Sequence, residues 1–224
     1  MRKIIFLMLF LILLISSADA SFNSTWDTSK SGVSNSSQIT LPLHNGGTYN
    51  FVAHWGDGSS STITAYNSPN VTHTYSSPGI YNVSIDGTII GFRFNNGGDK
   101  LKIIDISNWG QLRLGNLNGY FYGCSNMEVT ATDVLDLTGT TDMYSMFRGC
   151  SVANPDVSGF DTSEVTTMAS MFSGCTNANP DVSGFDTSKV TTMASIFYFC
   201  THANPVVSGF DTSHVNIMAF MFCG

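Results

Sequence analysis

The feature that most constrains the fold of this chain is a phrase that recurs every 25 residues. Three clear copies are VSGFDTSEVTTMASMF at 157–172, VSGFDTSKVTTMASIF at 182–197 and VSGFDTSHVNIMAFMF at 207–222. A fixed period of this length is typical of repeat proteins, in which each repeat buries its apolar face only against its neighbours. The period therefore predicts a stacked architecture, and such architectures usually bind macromolecules along an extended surface.

Within one repeat, the apolar residues have a helical spacing. Ser163 stands where a helix N-cap would, and Gly174 stands where the helix would end. One face of this short helix would carry Val165, Met168, Phe172 and Cys175. A short extended segment around Val182 follows. The repeat therefore predicts an α/β solenoid, with the methionines as core residues rather than as a metal or redox site.

The cysteines follow the same period. Cys150, Cys175 and Cys200 occupy one repeat position, Cys124 lies slightly more than one repeat earlier, and Cys223 stands outside this register. Stacked repeats would place neighbouring cysteines about 4.8 Å apart, which is within the Cα range of a disulfide. Free cysteine is also among the most buried residue types. We favour a buried, reduced column, with disulfides as the alternative.

Asparagines form a second periodic set. Asn154, Asn179 and Asn204 are each followed by proline. Their side chains could satisfy backbone groups from one repeat to the next, or they could be ordinary turn residues.

The N-terminus has the pattern of an export signal. Arg2 and Lys3 precede an apolar run at 4–15, and a small-x-small cleavage site ends at Ala20. The alternative, a membrane anchor, would need about 20 apolar residues. The sequence predicts a secreted or cell-surface protein whose mature chain begins at Ser21 and has no membrane span.

Residues 21–105 have the pattern of an all-β domain. Short alternating segments are bounded by Gly, Asn, Pro or Asp, and they cover 38–43, 49–55, 61–66, 71–75, 80–85 and 89–94, with a further strand expected at 101–109. Short strands with regular turn signals predict a β-sandwich.

Two motifs in this region resemble a known domain. WGDG at 55–58 and HTYSSPGIYNV at 73–83 resemble the polycystic kidney disease (PKD) domain, an immunoglobulin-like β-sandwich. The resemblance implies an exported spacer or interaction module. Asp57 with His54 or His73 could be taken for an acid/base pair, but no nucleophile or second carboxylate accompanies them, and we expect a structural role.

The repeats resemble a second family. The phrase VSGFDTSxVTTMxSMFxGC closely resembles the BspA-type leucine-rich repeats of bacterial and protist surface proteins, including the repeat family first noted in mycoplasma lipoproteins. The resemblance is clear over about 140–224 and weaker from about 119. It implies a cell-surface or secreted protein that adheres to host or matrix proteins.

We expect this protein to have no catalytic activity, no cofactor and no nucleic-acid partner. The chain has a net charge of −7 with only nine Lys plus Arg, which disfavours binding to phosphate backbones. It has no HExxH, phosphate-binding loop, dinucleotide fingerprint or Ser-His-Asp order, and no CxxC or HxxxH metal pair.

Positions that differ between repeats are the candidates for a binding surface. Packing does not fix them, so we expect them to face solvent. The main candidates are Glu164, Lys189, His214, Asn177, His202 and Tyr198. Other varying positions are Val152, Ser173, Asp156, Asp181 and Val206.

The sequence thus predicts a mainly β chain in four parts. These are a signal peptide at 1–20, a PKD-like sandwich at 21–105, a bridge with a degenerate first repeat at 106–132, and leucine-rich repeats at 133–224. The last copy stops inside its predicted helix, so we expect a solenoid truncated at the C-terminus and weakly protected over about 205–224. The expected function is binding of an extracellular or host protein or a glycan. The alternatives are a non-catalytic module of a larger exported enzyme and a structural stalk.

Overall fold

The computed structural model describes residues 20–223, and its regular secondary structure is nearly all β. Nine strands occur in this range: β1 (Phe22–Asp27), β2 (Gln38–Thr40), β3 (Leu43–His54), β4 (Ser60–Ile63), β5 (Thr72–Thr74), β6 (Ile80–Phe92), β7 (Ile103–Asn108), β8 (Leu112–Arg113) and β9 (Glu128–Val129). The described range contains a 3₁₀ turn at Pro69–Val71 but no α-helix, and no helix that could cross a membrane. The proposed signal peptide, apart from Ala20, lies outside the described residues and stays a prediction, as do the domain boundaries.

Seven strands form one mixed sheet. Its order is β4-β3-β6-β1-β7-β9, with β8 paired to β6 beside this path, and β2 and β5 form a separate two-stranded sheet. The pairs among β1, β3, β4, β6 and β7 are antiparallel, whereas β8 and β9 pair in parallel. The predicted immunoglobulin-like sandwich is therefore wrong. β7 lies within the strand predicted at 101–109, and β8 and β9, which lie in the segment predicted as a bridge, belong to the same large sheet.

Alternation decides which side chains of this sheet enter the core. In β1, Phe22, Ser24 and Trp26 are buried and their neighbours are partly exposed. The indole of Trp26 donates to the hydroxyl of Ser24 at 2.9 Å, so the one polar residue on this face has a partner. Our sequence analysis missed β1, in which the two apolar residues, Phe22 and Trp26, lie on one face of the strand with the polar Ser24 between them.

The strands predicted at 80–85 and 89–94 are one strand, β6. Gly87, which we took for a turn, pairs with Phe51 and has φ = 115°. A Cβ at Gly87 would lie 2.5 Å from the carbonyl oxygen of Asn50. Glycine therefore lets β6 continue along β3 where another residue would clash.

The repeats form stacked turns, and the predicted α/β solenoid with short helices is wrong. Five segments, which we call rungs 1 to 5, stack in order: 119–124, 142–150, 167–175, 192–200 and 217–223. Isolated parallel bridges connect rungs 2 to 5 at Asp142, Thr167, Thr192 and Ile217.

The backbone conformation of each rung explains why it is not helical. Ser145, Ser170 and Ser195 have φ values of 55°, 58° and 58°. A left-handed residue at this point interrupts a right-handed helix. Amides of one rung then bond to carbonyls of the next, as in Ser170 N to Ala194 O at 2.8 Å. Ser163 is not an N-cap; its amide bonds to the carboxylate of Asp161 at 3.1 Å.

A column of phenylalanine rings runs through the rungs. Centroids are 5.5–5.8 Å apart along Phe121, Phe147, Phe172, Phe197 and Phe222, with interplanar angles of 2–11°. Phe121 also contacts Phe92 of β6 at 6.0 Å. The core of the sheet therefore continues without a break into the core of the rungs.

Candidate binding surface

The cysteine column is part of the core. Cys124, Cys150, Cys175 and Cys200 are buried and free, and Cys223 is exposed and free. The thiols of Cys150, Cys175 and Cys200 donate to carbonyl oxygens of the preceding rung at 3.1, 2.8 and 2.9 Å. Burial raises the pKa of Cys175 well above its usual value and that of Cys200 to about 11. The prediction of a buried, reduced column is confirmed, and these thiols are poor nucleophiles.

The asparagine column connects successive repeats. The amide of Asn179 donates to the side-chain oxygen of Asn154 at 2.8 Å, and the amide of Asn204 donates to that of Asn179 at 2.8 Å. The interpretation of these residues as backbone partners is confirmed. They support the stack and do not form a site for a ligand.

Other invariant polar residues also serve the backbone. The hydroxyl of Thr162 donates to the carbonyl of Asp186 at 3.0 Å, and the hydroxyl of Thr187 donates to that of Asp211 at 3.1 Å. Hydrogen bonds from Ser163 hold the pKa of Asp161 below its usual value. The residues that repeat without change thus build the scaffold, which leaves the varying positions as the chemically distinct part of the surface.

Three of the predicted site residues lie in one column. Glu164, Lys189 and His214 are exposed, and Lys189 Nζ lies 2.7 Å from Glu164 Oε1. An exposed pair of this kind contributes less than about 1 kcal/mol, so a partner could replace it at little cost. His214 bonds to the hydroxyl of Ser213 at 3.1 Å.

Asn177 and His202 share a second column. Both are exposed, and the ring of His202 bonds to the carbonyl of Thr176. Tyr198 is half-buried. Ser173, the residue equivalent to Tyr198 one repeat earlier, is buried, so the expectation that this position faces solvent is wrong for Ser173. The smaller side chain packs inside, whereas the larger ring extends outward.

Two exposed aromatic residues beside Tyr198 were missed from the sequence. Phe199 contacts Tyr198 at a centroid distance of 4.4 Å, and Phe220 contacts it at 6.3 Å, both edge-to-face. We call these three residues the aromatic patch. Phe199 stands where the earlier copy has Gly174, and Phe220 stands where the earlier copy has Ser195. Comparing copies for a change from small to aromatic residues would have found both.

The motif around Asp57 forms a structural cluster. His73 Nε2 lies 2.8 Å from Asp57 and 3.5 Å from the hydroxyl of Ser59, which itself donates to Asp57 at 2.6 Å. In a catalytic triad, one ring nitrogen of the histidine bonds to the carboxylate and the other bonds to the nucleophile. In this cluster, the single nitrogen Nε2 of His73 faces both the Asp57 carboxylate and the Ser59 hydroxyl. Hydrogen bonding from Ser59, followed by that from His73, lowers the pKa of Asp57 to about 2. His54 instead pairs with Asp86 at 3.2 Å.

A buried charge pair fixes the loop before β2. Lys102 Nζ donates to the carbonyls of Ser34, Asn35 and Gln38 at 3.0, 2.7 and 2.8 Å, and it lies 4.0 Å from Asp99. Burial lowers the pKa of Lys102 below its usual value. This lysine has its donors satisfied inside the protein, so the cluster is structural.

A cavity of about 390 Å³ is lined by Gly87, Ile90, Gln111, Arg113 and Asp136. Its two charged side chains pair with each other at 2.6 Å. Within residues 20–223, no group of three or more His, Cys, Asp or Glu side chains is arranged to hold a metal ion.

Comparison with known proteins finds a match in the repeat region. No curated protein and no solved structure matches the chain significantly. The comparisons give no evidence for an N-terminal PKD domain, so that part of the predicted resemblance is unsupported. Residues 115–224, which include all five rungs, match the family described as Mycoplasma protein of unknown function, DUF285, in agreement with the resemblance predicted for the repeats.

Proposed function

We propose that this chain is an exported cell-surface or secreted protein that binds extracellular macromolecules through the side of its rungs. The observation that carries the proposal is the aromatic patch. Phe199 and Phe220 are 52% and 66% exposed. Clustered exposed aromatic residues are costly to hydrate and are enriched at the centres of protein interfaces.

The scaffold around the patch suits recognition. Hydrogen bonds between rungs hold the backbone, and the phenylalanine column fills the interior. Side chains that differ between repeats can therefore change without disturbing the stack. Binding residues on a rigid framework lose little conformational entropy when a partner docks.

The other exposed positions that vary between repeats favour a protein partner. His202, Asn177 and the Glu164–Lys189 pair are exposed polar groups of both charge signs on the same repeats. An aromatic centre with a mixed polar rim is the usual composition of a protein–protein interface. The net charge of −7 argues against a polyanionic partner.

The experiment uses mature chain 21–224 against a panel of extracellular matrix and cell-surface proteins. Tyr198→Ala, Phe199→Gly and Phe220→Ser remove the patch, and the last two restore residues found in earlier copies. We expect each to weaken binding about tenfold or more, as for a residue at the centre of an interface. Tyr66→Ala, at a partly exposed tyrosine in the sheet region, is the matched control.

Two results would overturn the proposal. One is binding that all three patch variants leave unchanged. The other is a complete absence of partners in the panel, which would instead favour a spacer or an accessory module.

A further inference from the structure

We propose that Lys100, Tyr122 and Arg148 form an anion-binding end of the candidate binding surface, which takes an acidic residue from an extended segment of a protein partner. We call these three residues the basic cluster. The inference deepens the proposed function and rests on it, because it adds a second point of contact to the surface that carries the aromatic patch. It also names the charge that the partner supplies.

The two cations of the basic cluster have no carboxylate partner in the described part of the chain. Seven of the nine Lys and Arg residues are described, and Lys102, Arg113 and Lys189 each lie within 4.0 Å of a carboxylate oxygen. Among the described residues, no carboxylate lies that close to Lys100 or Arg148. Acidic side chains are in excess in this chain, so two neighbouring cations without one are suited to an external anion.

Both cations approach the same short segment of rung 1. The guanidinium carbon of Arg148 lies 5.1 Å from the centroid of the Tyr122 ring. A Cβ at Gly123 would lie 3.1 Å from Lys100 Nζ, so glycine at this position leaves room for the lysine. The amide of Gly123 also donates to the carbonyl of Arg148 at 2.8 Å. The positive charges of Lys100 and Arg148 therefore lie beside one aromatic ring.

The polar groups of the basic cluster keep donors available for a ligand. All three residues are partly exposed. Within residues 20–223, neither the guanidinium of Arg148 nor the hydroxyl of Tyr122 has a hydrogen-bond partner. Lys100 Nζ donates to the carbonyl of Asn96 at 2.9 Å and to its side-chain oxygen, which hold the lysine in place. An arginine over an aromatic face can still bind a carboxylate through two parallel hydrogen bonds.

The basic cluster lies in line with the aromatic patch. One column of rungs 1 to 4 holds, in order, Tyr122, Arg148, Ser173 and Tyr198. Ser173 is buried, so the surface is lower between the two ends. Rungs at the usual strand spacing of about 4.8 Å separate the backbone at Arg148 from that at Tyr198 by about 10 Å, which an extended polypeptide covers in about three residues. A segment with an acidic residue about three positions from an apolar one therefore fits both ends.

The other charges of the repeats favour a single acidic residue over a long polyanion. Asp156, Asp161, Glu164 and Asp181 are all exposed on these repeats. A sulfated glycan would bring many negative charges close to these carboxylates. A protein segment with one or two acidic side chains would not, and it also supplies the apolar side chain that suits the aromatic patch.

The first test selects peptides by display. A library of random peptides of about 12 residues is enriched on immobilised mature chain 21–224 and, separately, on Arg148→Glu. The unchanged chain should enrich Asp or Glu about three positions from a large apolar residue. Arg148→Glu should replace this acidic preference with Lys or Arg, because the charge at this end is reversed. Lys30→Glu, which makes the same change of charge at an exposed lysine between β1 and β2, should keep the acidic preference.

The second test measures the Kd of one enriched peptide by fluorescence anisotropy. Arg148→Gln and Lys100→Gln should each weaken binding about fivefold or more and reduce its dependence on salt. Arg148→Lys should restore part of the affinity, since lysine keeps the charge but loses the paired hydrogen bonds. Lys30→Gln should leave the Kd unchanged. Near-identical circular dichroism would show that the variants remain folded.

Three results would overturn the inference. One is a selection that enriches no peptide, or none with an acidic residue. Another is an acidic preference that Arg148→Glu leaves in place. The third is binding to a heparin column that Arg148→Gln abolishes, in a chain that enriches no acidic peptide, which would make an anionic glycan the ligand.

This inference and the proposed function can fail separately. If Arg148→Glu leaves binding to matrix proteins intact while the variants of Tyr198 and Phe199 abolish it, only the basic cluster is contradicted. If acidic peptides bind through Arg148 and the variants of the aromatic patch change nothing, only the role of the patch is contradicted.

Discussion

Rungs 3 and 5 have the same methionine and phenylalanine residues in very different environments. Phe172 is fully buried in rung 3, and its equivalent Phe222 is more than half exposed; Met168 and Met218 differ in the same way. The residue types are identical, so the difference comes from the neighbouring rung. Burial in this molecule is a property of a pair of rungs, and a single repeat cannot supply it.

The backbone shows the same contrast. Rung 3 accepts hydrogen bonds from rung 2 and donates to rung 4, whereas rung 5 only accepts from rung 4 among the described residues. A segment held on one side opens at a lower free energy than one held on both. Matched substitutions in the two rungs can therefore test how much of the stability each neighbour supplies.

The largest difference is expected for a buried charge. Cys175→Asp places a carboxylate in the core column, and we expect it to lower the free energy of unfolding by at least about 4 kcal/mol, or to prevent folding. Cys223→Asp, at the exposed cysteine, should change it by no more than about 0.5 kcal/mol. Urea denaturation followed by circular dichroism gives both values. Equal stability of the two variants would show that the column is assigned to the wrong face.

A cavity in the phenylalanine column should give the next largest difference. Phe172→Ala removes a ring that stacks on both sides, at 5.8 Å from Phe147 and 5.8 Å from Phe197. Its cost should be about 3–5 kcal/mol. Phe222→Ala removes a ring stacked on one side only and should cost about 1 kcal/mol or less. Equal costs would show that the greater exposure of Phe222 does not lower its contribution to the free energy of unfolding.

For the repeats, the sequence predicted which side chains are buried but not which conformation the backbone adopts. Val165, Met168, Phe172 and Cys175 were correctly predicted to be buried together, because their identity and period follow from core packing. Their conformation was wrongly predicted as helical. The spacing of 3, 4 and 3 also fits successive tight turns, and the left-handed Ser170 that decides between them has no sequence signature, since serine rarely adopts this conformation.

For the sheet, the sequence likewise predicted the local pattern but not the long-range arrangement. Alternation located most of β2 to β7, but not which strands pair. Pairing of β9 with β7 involves residues more than 20 positions apart, and alternation carries no information on such contacts. The positions Glu164, Lys189 and His214 of the candidate surface were predicted to be exposed, and they are, but their role in binding stays a prediction. Phe199 and Phe220 were overlooked, although each replaces a small residue of the preceding copy.

Matched substitutions in the asparagine column should show a smaller difference in stability. Asn154→Ala removes the acceptor for the amide of Asn179 and should cost about 1 kcal/mol, since water can partly replace the lost bond. Asn204→Ala removes a side chain that accepts from no following repeat in the described range, and it should cost about 0.5 kcal/mol or less. Both positions precede proline, so the backbone change is matched. Thermal unfolding of the two variants makes the comparison, and a larger cost for Asn204→Ala would contradict the one-sided ladder.

The smallest expected effect has the opposite sign. Phe199 is left-handed with φ = 53°, at the position where the earlier copies have Gly149 and Gly174. Since a side chain is strained in this conformation, Phe199→Gly should stabilise the protein by about 0.5–1 kcal/mol, even though it removes the contact with Tyr198. The reciprocal change, Gly174→Ala, should cost about 1 kcal/mol by strain alone, because the nearest atom to the new Cβ is 3.6 Å away.

Measuring both the stability and the binding of Phe199→Gly separates two explanations for Phe199. If Phe199→Gly stabilises the fold and also weakens binding to a partner, the strained aromatic residue is kept for recognition, at a cost in stability. If it destabilises the fold, the contact between Phe199 and Tyr198 outweighs the backbone strain, and the aromatic patch is part of the packing of rung 4.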